Sequence, residues 1–314
     1  MKRFSCALQS TMRAIHKVDE LNWRFALDDI ATITAGQGSL PKLRIACSEA
    51  EADIYLHGAQ VTSWRPADTE EVIFLSDHSR FEDGKAIRGG IPICFPWFRA
   101  KADDPKAPAH GFVRTKAWQL DSIQQEQGSV VVTLSTENDE TTQRWWPQEF
   151  RIEHRITVGA ELKLELTVTN MDSGPFLFEE ALHTYHRVGE IDQIRVAGLD
   201  GAAYLDNTDA NREKMQRGDI VMTQPTDNAY LNTQSALELI DPALRRRIRI
   251  VKSGSRSTVA WNPWESGAKA LADLGDDEWP RFACVEASNI LGCAVSLASG
   301  ERHTMTATIS VASS

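Results

Sequence analysis

Leu162-Lys163-Leu164-Glu165-Leu166-Thr167-Val168 is apolar at every second position. Successive side chains on a strand point to opposite faces, so this period of two predicts a strand with one face on a core and the other in water. The same grammar recurs on both sides of it. Upstream lie Leu43 to Cys47, Ala52 to Leu56, Val61 to Trp64, Val72 to Leu75, Ser129 to Leu134 and Phe150 to Val158. Downstream lie Leu237 to Ile240, Ile248 to Val251, Val259 to Trp261 and Thr304 to Val311. Short strands at near-regular spacing, with few helical periods between them, predict an all-β fold, a large sandwich or barrel. No change of composition marks a linker and no repeat is present, so one large domain is expected over residues 41–314. Residues 1–40 read as a peripheral segment, with a short helix from Asp19 to Ile30 and a break at Gly36-Gln37-Gly38-Ser39.

The bulk numbers narrow the function. With 314 residues, 42% hydrophobic and 25% charged, the chain can bury a sizeable core. Net charge is −10, and the basic run Arg245-Arg246-Arg247 leads into Ile248-Arg249-Ile250-Val251, the pattern of an exposed strand start. Nucleic-acid binding is therefore not expected. No apolar run reaches the length of a membrane span, and the apolar part of Met1 to Leu8 is too short and broken for a secretory signal. Five cysteines without a Cys-x-x-Cys pair indicate neither a zinc knuckle nor a disulfide framework, and a reducing, cytoplasmic setting is expected.

Several segments carry more chemistry than packing requires. Ile87-Arg88-Gly89-Gly90-Ile91-Pro92-Ile93-Cys94-Phe95-Pro96-Trp97-Phe98 cannot be a regular strand, because its glycines and prolines interrupt ladder bonding. So much aromatic area in an irregular segment fits either a core-packing loop or a cavity wall, on which sugar rings can stack. His110-Gly111-Phe112-Val113-Arg114 again sets a histidine and an arginine around a glycine. In Phe178 to Val188, strand parity puts Ala181, His183 and Tyr185 on one face and Leu182, Thr184 and His186 on the other. His183 is either a packed core histidine or a proton carrier near neutral pH. Trp145-Trp146 reads as packing, and Asp227, after Pro225-Thr226, reads as a turn former. In Arg281 to Asn289 both faces are apolar, yet one carries Glu286. A lone buried carboxylate is costly and needs a partner or a pocket.

Taken in order, Arg88-Gly89-Gly90-Ile91-Pro92, His110-Gly111-Phe112-Val113-Arg114, Ala181-Leu182-His183-Thr184-Tyr185 and Val285-Glu286 make the chain resemble the D-hexose-6-phosphate mutarotases, also called glucose-6-phosphate 1-epimerases. These are a branch of the aldose 1-epimerase superfamily, and the likeness runs from about Ile54 to the C-terminus. It implies a galactose-mutarotase-like antiparallel β-supersandwich with few short helices and an open cleft. It implies His183 and Glu286 as the catalytic pair, and Arg88, His110, Arg114 and Asp227 as substrate ligands. Within that frame Glu286 is expected as base and His183 as acid, with Arg88 and Arg114 on the phosphate and Trp97 flanking the ring. A hexose 6-phosphate is the expected partner, a monomer the expected state, and no metal or other cofactor is called for. Two positions depart from the family: His186 stands where relatives commonly carry phenylalanine, and Ala287-Ser288-Asn289 follows Glu286 where relatives vary. Three rivals remain open: a non-catalytic sugar-binding sandwich, a glycoside hydrolase pairing Glu179 or Glu180 with Glu286, and an aldose 1-epimerase for unphosphorylated sugars.

Overall fold

The computed structural model describes residues 17–313. The Met1 to Leu8 start and Cys6 lie outside them. Two eight-stranded antiparallel sheets dominate, accompanied by a four-stranded sheet and a two-stranded ribbon. This is the all-β sandwich that the strand grammar predicts. Strand Leu162–Asn170 alternates buried and half-buried positions along its whole length. It lies between Phe150–Val158 and Arg302–Ser313 in one large sheet. Leu162, Leu164, Leu166 and Val168 are fully buried on its inner face.

The second large sheet runs through Thr226–Leu231, Ser257–Asn262 and Phe282–Asn289, in that spatial order. Ala283, Val285 and Ala287 from its inner face share one apolar cluster with Leu164, Leu166, Ile250 and Ile309 of the first sheet. That shared cluster is the core between the sheets. The opposite face of Phe282–Asn289 is covered too, and all eight of its residues are buried. Strands covered on both sides read as continuous apolar runs, which is why this one shows no simple alternation in sequence.

The N-terminal part departs from its expected outline. The helix covers residues 17–25, and Leu27 already bridges to Ala31 beyond it. Asn22 closes the helix against Ile33 with two bonds: its Nδ2 donates to Ile33 O at 2.7 Å, and its Oδ1 accepts from Ile33 N at 2.8 Å. Ala31–Ala35 then pairs with Pro41–Ala46, so the boundary placed at residue 40 falls inside a sheet. Of the basic run, Arg246 is buried and donates to the carbonyls of Glu71 and Arg187; it is not an exposed strand start. Asp227 is likewise no turn former, because it lies within strand Thr226–Leu231.

Candidate active site

Sheet register brings the site together. Leu182 opposes Ala287 across the pair formed by Glu180–Leu182 and Phe282–Asn289. The next residue on one strand and the preceding one on the other are His183 and Glu286. The expected strand through 178–188 breaks at this point into Glu180–Leu182 and Tyr185–Arg187, both pairing with Phe282–Asn289. At the break His183 N donates to Pro92 O at 2.9 Å. On the other side, Glu286 opposes Val259 while Asp227 opposes Trp261, two residues along the same strand. Parity therefore turns Asp227, Val259, Trp261 and Glu286 to one face, away from the main core.

That face floors a cavity of about 250 Å³. Arg88, His110, Arg114, His183, Asp227 and Glu286 all line it. His183 Nδ1 lies 3.3 Å from Glu286 Oε1. Both carboxylate oxygens and that nitrogen lack a hydrogen-bond partner among the described residues. Burial pushes the Glu286 carboxyl well above the usual carboxylate range, and Asp227 adds to it, while Arg99 and Arg114 pull it back. Burial also holds His183 well below the ordinary imidazole range, assisted by Arg114 and Arg88. Both shifts disfavour charge in a dry site.

The loop 88–114 supplies the opposite wall. At Gly111, φ is +72° and a Cβ would lie 1.7 Å from Phe95 O, so only glycine lets the two backbones meet. Beside it His110 also has a positive φ, 62°, a rare conformation for a residue with a side chain. Its Nδ1 accepts from Arg99 N at 3.3 Å, which leaves the proton on Nε2 as a donor. Burial, then Arg114 and His183, keep this imidazole neutral by lowering its pKa well below the usual range.

The arginines differ in how far they are engaged. Arg88 forks onto Asp273 at 3.1 and 3.3 Å and donates to Tyr185 Oη at 3.0 Å. The Tyr185 ring stacks on His183, with centroids 4.9 Å apart and planes at 13°. Burial alone would lower the Arg88 pKa, but Tyr185 and Asp273 outweigh it and hold it above its ordinary value. Arg114 donates to Ala109 O at 2.9 Å, and its Nε has no partner among the described residues. It makes no ion pair there either, unlike Arg88 and Arg99.

A sequence model for the family described as Aldose 1-epimerase matches residues 41–310. The chain belongs to the aldose 1-epimerase family. Within that family its relatives include a protein of Cenchrus ciliaris named "Putative glucose-6-phosphate 1-epimerase", 38% identical over 75% of this chain and 74% of that one. An Escherichia coli protein of the same name is 36% identical over 76% of this chain and 79% of that one. A solved structure from Salmonella typhimurium, described as a "putative mutarotase (YeaD)", superposes with a TM-score of 0.86 at 30% identity, over 92% and 96% of the two chains. A galactose mutarotase-like protein from Lactobacillus casei shares the fold at a TM-score of 0.69 and 17% identity, covering 86% of this chain and all of that one.

Against this family frame, Trp97 does not line the cavity. Its Nε1 donates to Pro108 O at 2.9 Å and its ring packs edge-on to Phe112. Its neighbour Phe98 takes the wall, with Trp261 from the sheet. An irregular segment has no period from which to tell which of two adjacent aromatics faces inward. Trp261 carries no sequence signal beyond its place at the end of the Val259 to Trp261 strand. Glu179 and Glu180, the partners that the hydrolase reading gave to Glu286, do not line the cavity. Glu179 accepts from the backbone of Phe98 and Leu291, and Glu180 from Asn289. His186 pairs opposite Ala283, is fully buried and does not line the cavity. Among the described residues no group of three or more His, Cys, Asp or Glu is placed to hold a metal ion, and no helix is long and apolar enough to cross a membrane.

Proposed function

We propose that this family member is a glucose-6-phosphate 1-epimerase that interconverts the α and β anomers of a hexose 6-phosphate. The observation that carries the proposal is the pairing of His183 and Glu286 at 3.3 Å inside a sugar-sized cavity that also holds the Arg114 guanidinium, which has no ion-pair partner among the described residues. Anomer exchange needs one group to take the C1 hydroxyl proton and another to protonate the ring oxygen. The aldehyde then turns about C1–C2 and closes on its other face. Glu286 serves as base and His183 as acid during opening, and the two exchange roles on closure.

Burial raises the carboxyl and lowers the imidazole, so each group is biased toward its neutral form. Arg114 and Arg88 are part of what keeps His183 deprotonated. A bound phosphate dianion offsets their charge and so favours the imidazolium that the opening step requires. Arg114 is the main phosphate ligand, because guanidinium forks match phosphate oxygens and no carboxylate competes for it. Arg88 lines the cavity and braces Tyr185, whose ring stacks on His183. His110 donates through Nε2 to a sugar hydroxyl, and Asp227 accepts from one. The free thiols of Cys47, Cys94, Cys284 and Cys293 support a cytoplasmic setting.

The test is to dissolve pure α-glucose 6-phosphate and follow its anomeric NMR signals with and without protein. Faster equilibration supports the proposal. An unchanged rate with retained binding points to a sensor, and acceleration of glucose alone points to an epimerase of unphosphorylated sugars.

A further inference from the structure

Arg99 lines the cavity, belongs to none of the motifs that marked the site, and has a geometry of its own. Its backbone has φ of 61°, the left-handed region that long side chains rarely adopt. Bonds to the next turn hold it there. Arg99 O accepts from His110 N at 2.7 Å, and Arg99 N donates to His110 Nδ1 at 3.3 Å. The guanidinium then reaches Asp227 Oδ1 at 2.5 Å and Asn211 Oδ1 at 3.4 Å. The other Asp227 oxygen accepts from Asn207 Nδ2 at 2.7 Å. Asn207 and Asn211 lie at the tip between strands Ala203–Asp206 and Arg212–Met215. One residue therefore joins three parts of the site: its backbone holds the His110 turn, and its side chain reaches that hairpin tip and the carboxylate on the cavity floor.

We propose that Arg99 is a positioning and specificity-determining residue: it straps the His110 turn to the 203–215 hairpin and fixes Asp227 as the charged acceptor for a sugar hydroxyl. The proposal rests on the epimerase reading of the cavity. A carboxylate held on both oxygens by donors from two different elements cannot turn, and its remaining lone pairs keep one direction. A sugar whose hydroxyl meets them is favoured over an epimer whose hydroxyl does not, since a buried acceptor left unpaired is costly. Without Arg99 the carboxylate would be held by Asn207 alone. The strap also acts on the reacting pair. Glu286 faces His183, Asp227, Arg99, Arg114, Cys94 and Cys284, with His110 and Arg88 on the surrounding wall. The Arg99 cation offsets the Asp227 anion within that group. Its removal raises the proton affinity of the His183–Glu286 pair, whichever member holds the proton.

The experiment measures kcat and KM for glucose 6-phosphate across pH in wild type, Arg99→Ala, Arg99→Lys and Asp227→Asn, and in Arg99→Ala combined with Asp227→Asn. Arg99→Ala is expected to raise KM about tenfold or more, as loss of a partly buried charged pair does, with a smaller fall in kcat and both limbs of the pH profile moved to higher pH. Arg99→Lys keeps the charge but not the two-armed bridge, so it restores the pH profile more than KM. In the Asp227→Asn background, Arg99→Ala should leave KM nearly unmoved. An active wild type whose Arg99→Ala variant keeps KM within twofold, or shows the same rise in both backgrounds, overturns the proposal alone. A wild type that does not speed anomer exchange overturns the epimerase reading and this proposal with it.

Discussion

Changing Arg114 to glutamine, and Arg88 to glutamine in a parallel variant, separates two arginines that the sequence could only assign together. Arg114 lines the cavity without an ion-pair partner among the described residues, whereas Arg88 is already forked onto Asp273 and bonded to Tyr185. Each hydrogen bond to a charged group contributes about 1.5–3 kcal/mol, and a fork makes two, for a total of about 3–5 kcal/mol after some water replaces the lost contact. At about 1.4 kcal/mol per factor of ten, Arg114→Gln should lower kcat/KM for glucose 6-phosphate by roughly 10²- to 4 × 10³-fold. For glucose, which offers no anion, the same change should cost less than about tenfold. Arg88→Gln should behave differently, because its loss frees the Tyr185 hydroxyl and with it the ring stacked on His183. Both sugars need His183, so both should slow by a similar factor. The measurement is anomer exchange by NMR for each sugar at matched saturation. Equal losses for the two sugars in Arg114→Gln would refute the assignment of the phosphate to this residue, and a selective loss in Arg88→Gln would move it there.

Other expectations follow from the same geometry. His183→Ala and Glu286→Gln should each reduce kcat by about 10²–10⁴-fold, and the double variant should be little worse than either single one because the two act as a unit; an intact rate in either would remove it from the chemistry. Phosphite dianion added to glucose should speed its anomer exchange in wild type but not in Arg114→Gln, since the anion offsets the cations that hold His183 deprotonated; no activation in wild type would sink that account. Away from the site, the bond to buried Glu180 raises the pKa of His303 above the usual imidazole range, even though burial opposes it. A raised folded-state pKa contributes stability that is complete below the unfolded value of about 6.5 and is lost as pH rises through the folded value. The melting temperature should therefore fall as pH increases across that window, and His303→Gln should flatten the fall; identical slopes would rule the pair out as its source.

Where side chains alternate, the sequence was legible. Leu162 to Val168 gave its buried face directly, and parity placed Glu286 with Phe282 and Cys284, opposite the face that joins the main core. Parity also put His183 with Tyr185 on the cavity side, although the strand itself breaks at His183. Legibility ends where no period operates. Trp97 and Phe98 are neighbours in a segment shaped by contacts to Phe112 and Glu179, and only those contacts decide which ring faces the cavity. Arg99 lies in a polar loop, and its partner Asp227 is 128 positions away on a central strand. Asp273, which holds Arg88, lies in a turn region that carried no motif.

On the proposed mechanism, the double covering of Phe282–Asn289 bears on how evenly the reacting pair shares its proton. In water a glutamate and a histidine differ by about two pKa units, so a shared proton would stay on the imidazole. A reaction that opens one anomer and closes the other asks the pair to exchange roles in each turnover, which is easiest when the two proton affinities are close. Burial raises the carboxyl and lowers the imidazole, which narrows the gap that water sets between them. Arg99 and Arg114 draw the carboxyl back, and on the proposed mechanism a phosphate at Arg114 would raise the imidazole by offsetting the Arg114 and Arg88 charges that lower it. On the proposed mechanism, one proton passes across the 3.3 Å between the two groups. On this account the arginines do more than hold the phosphate. They set the balance of the proton, and an epimerase of this design should respond in kcat, not only in KM, to whether its sugar carries a charge.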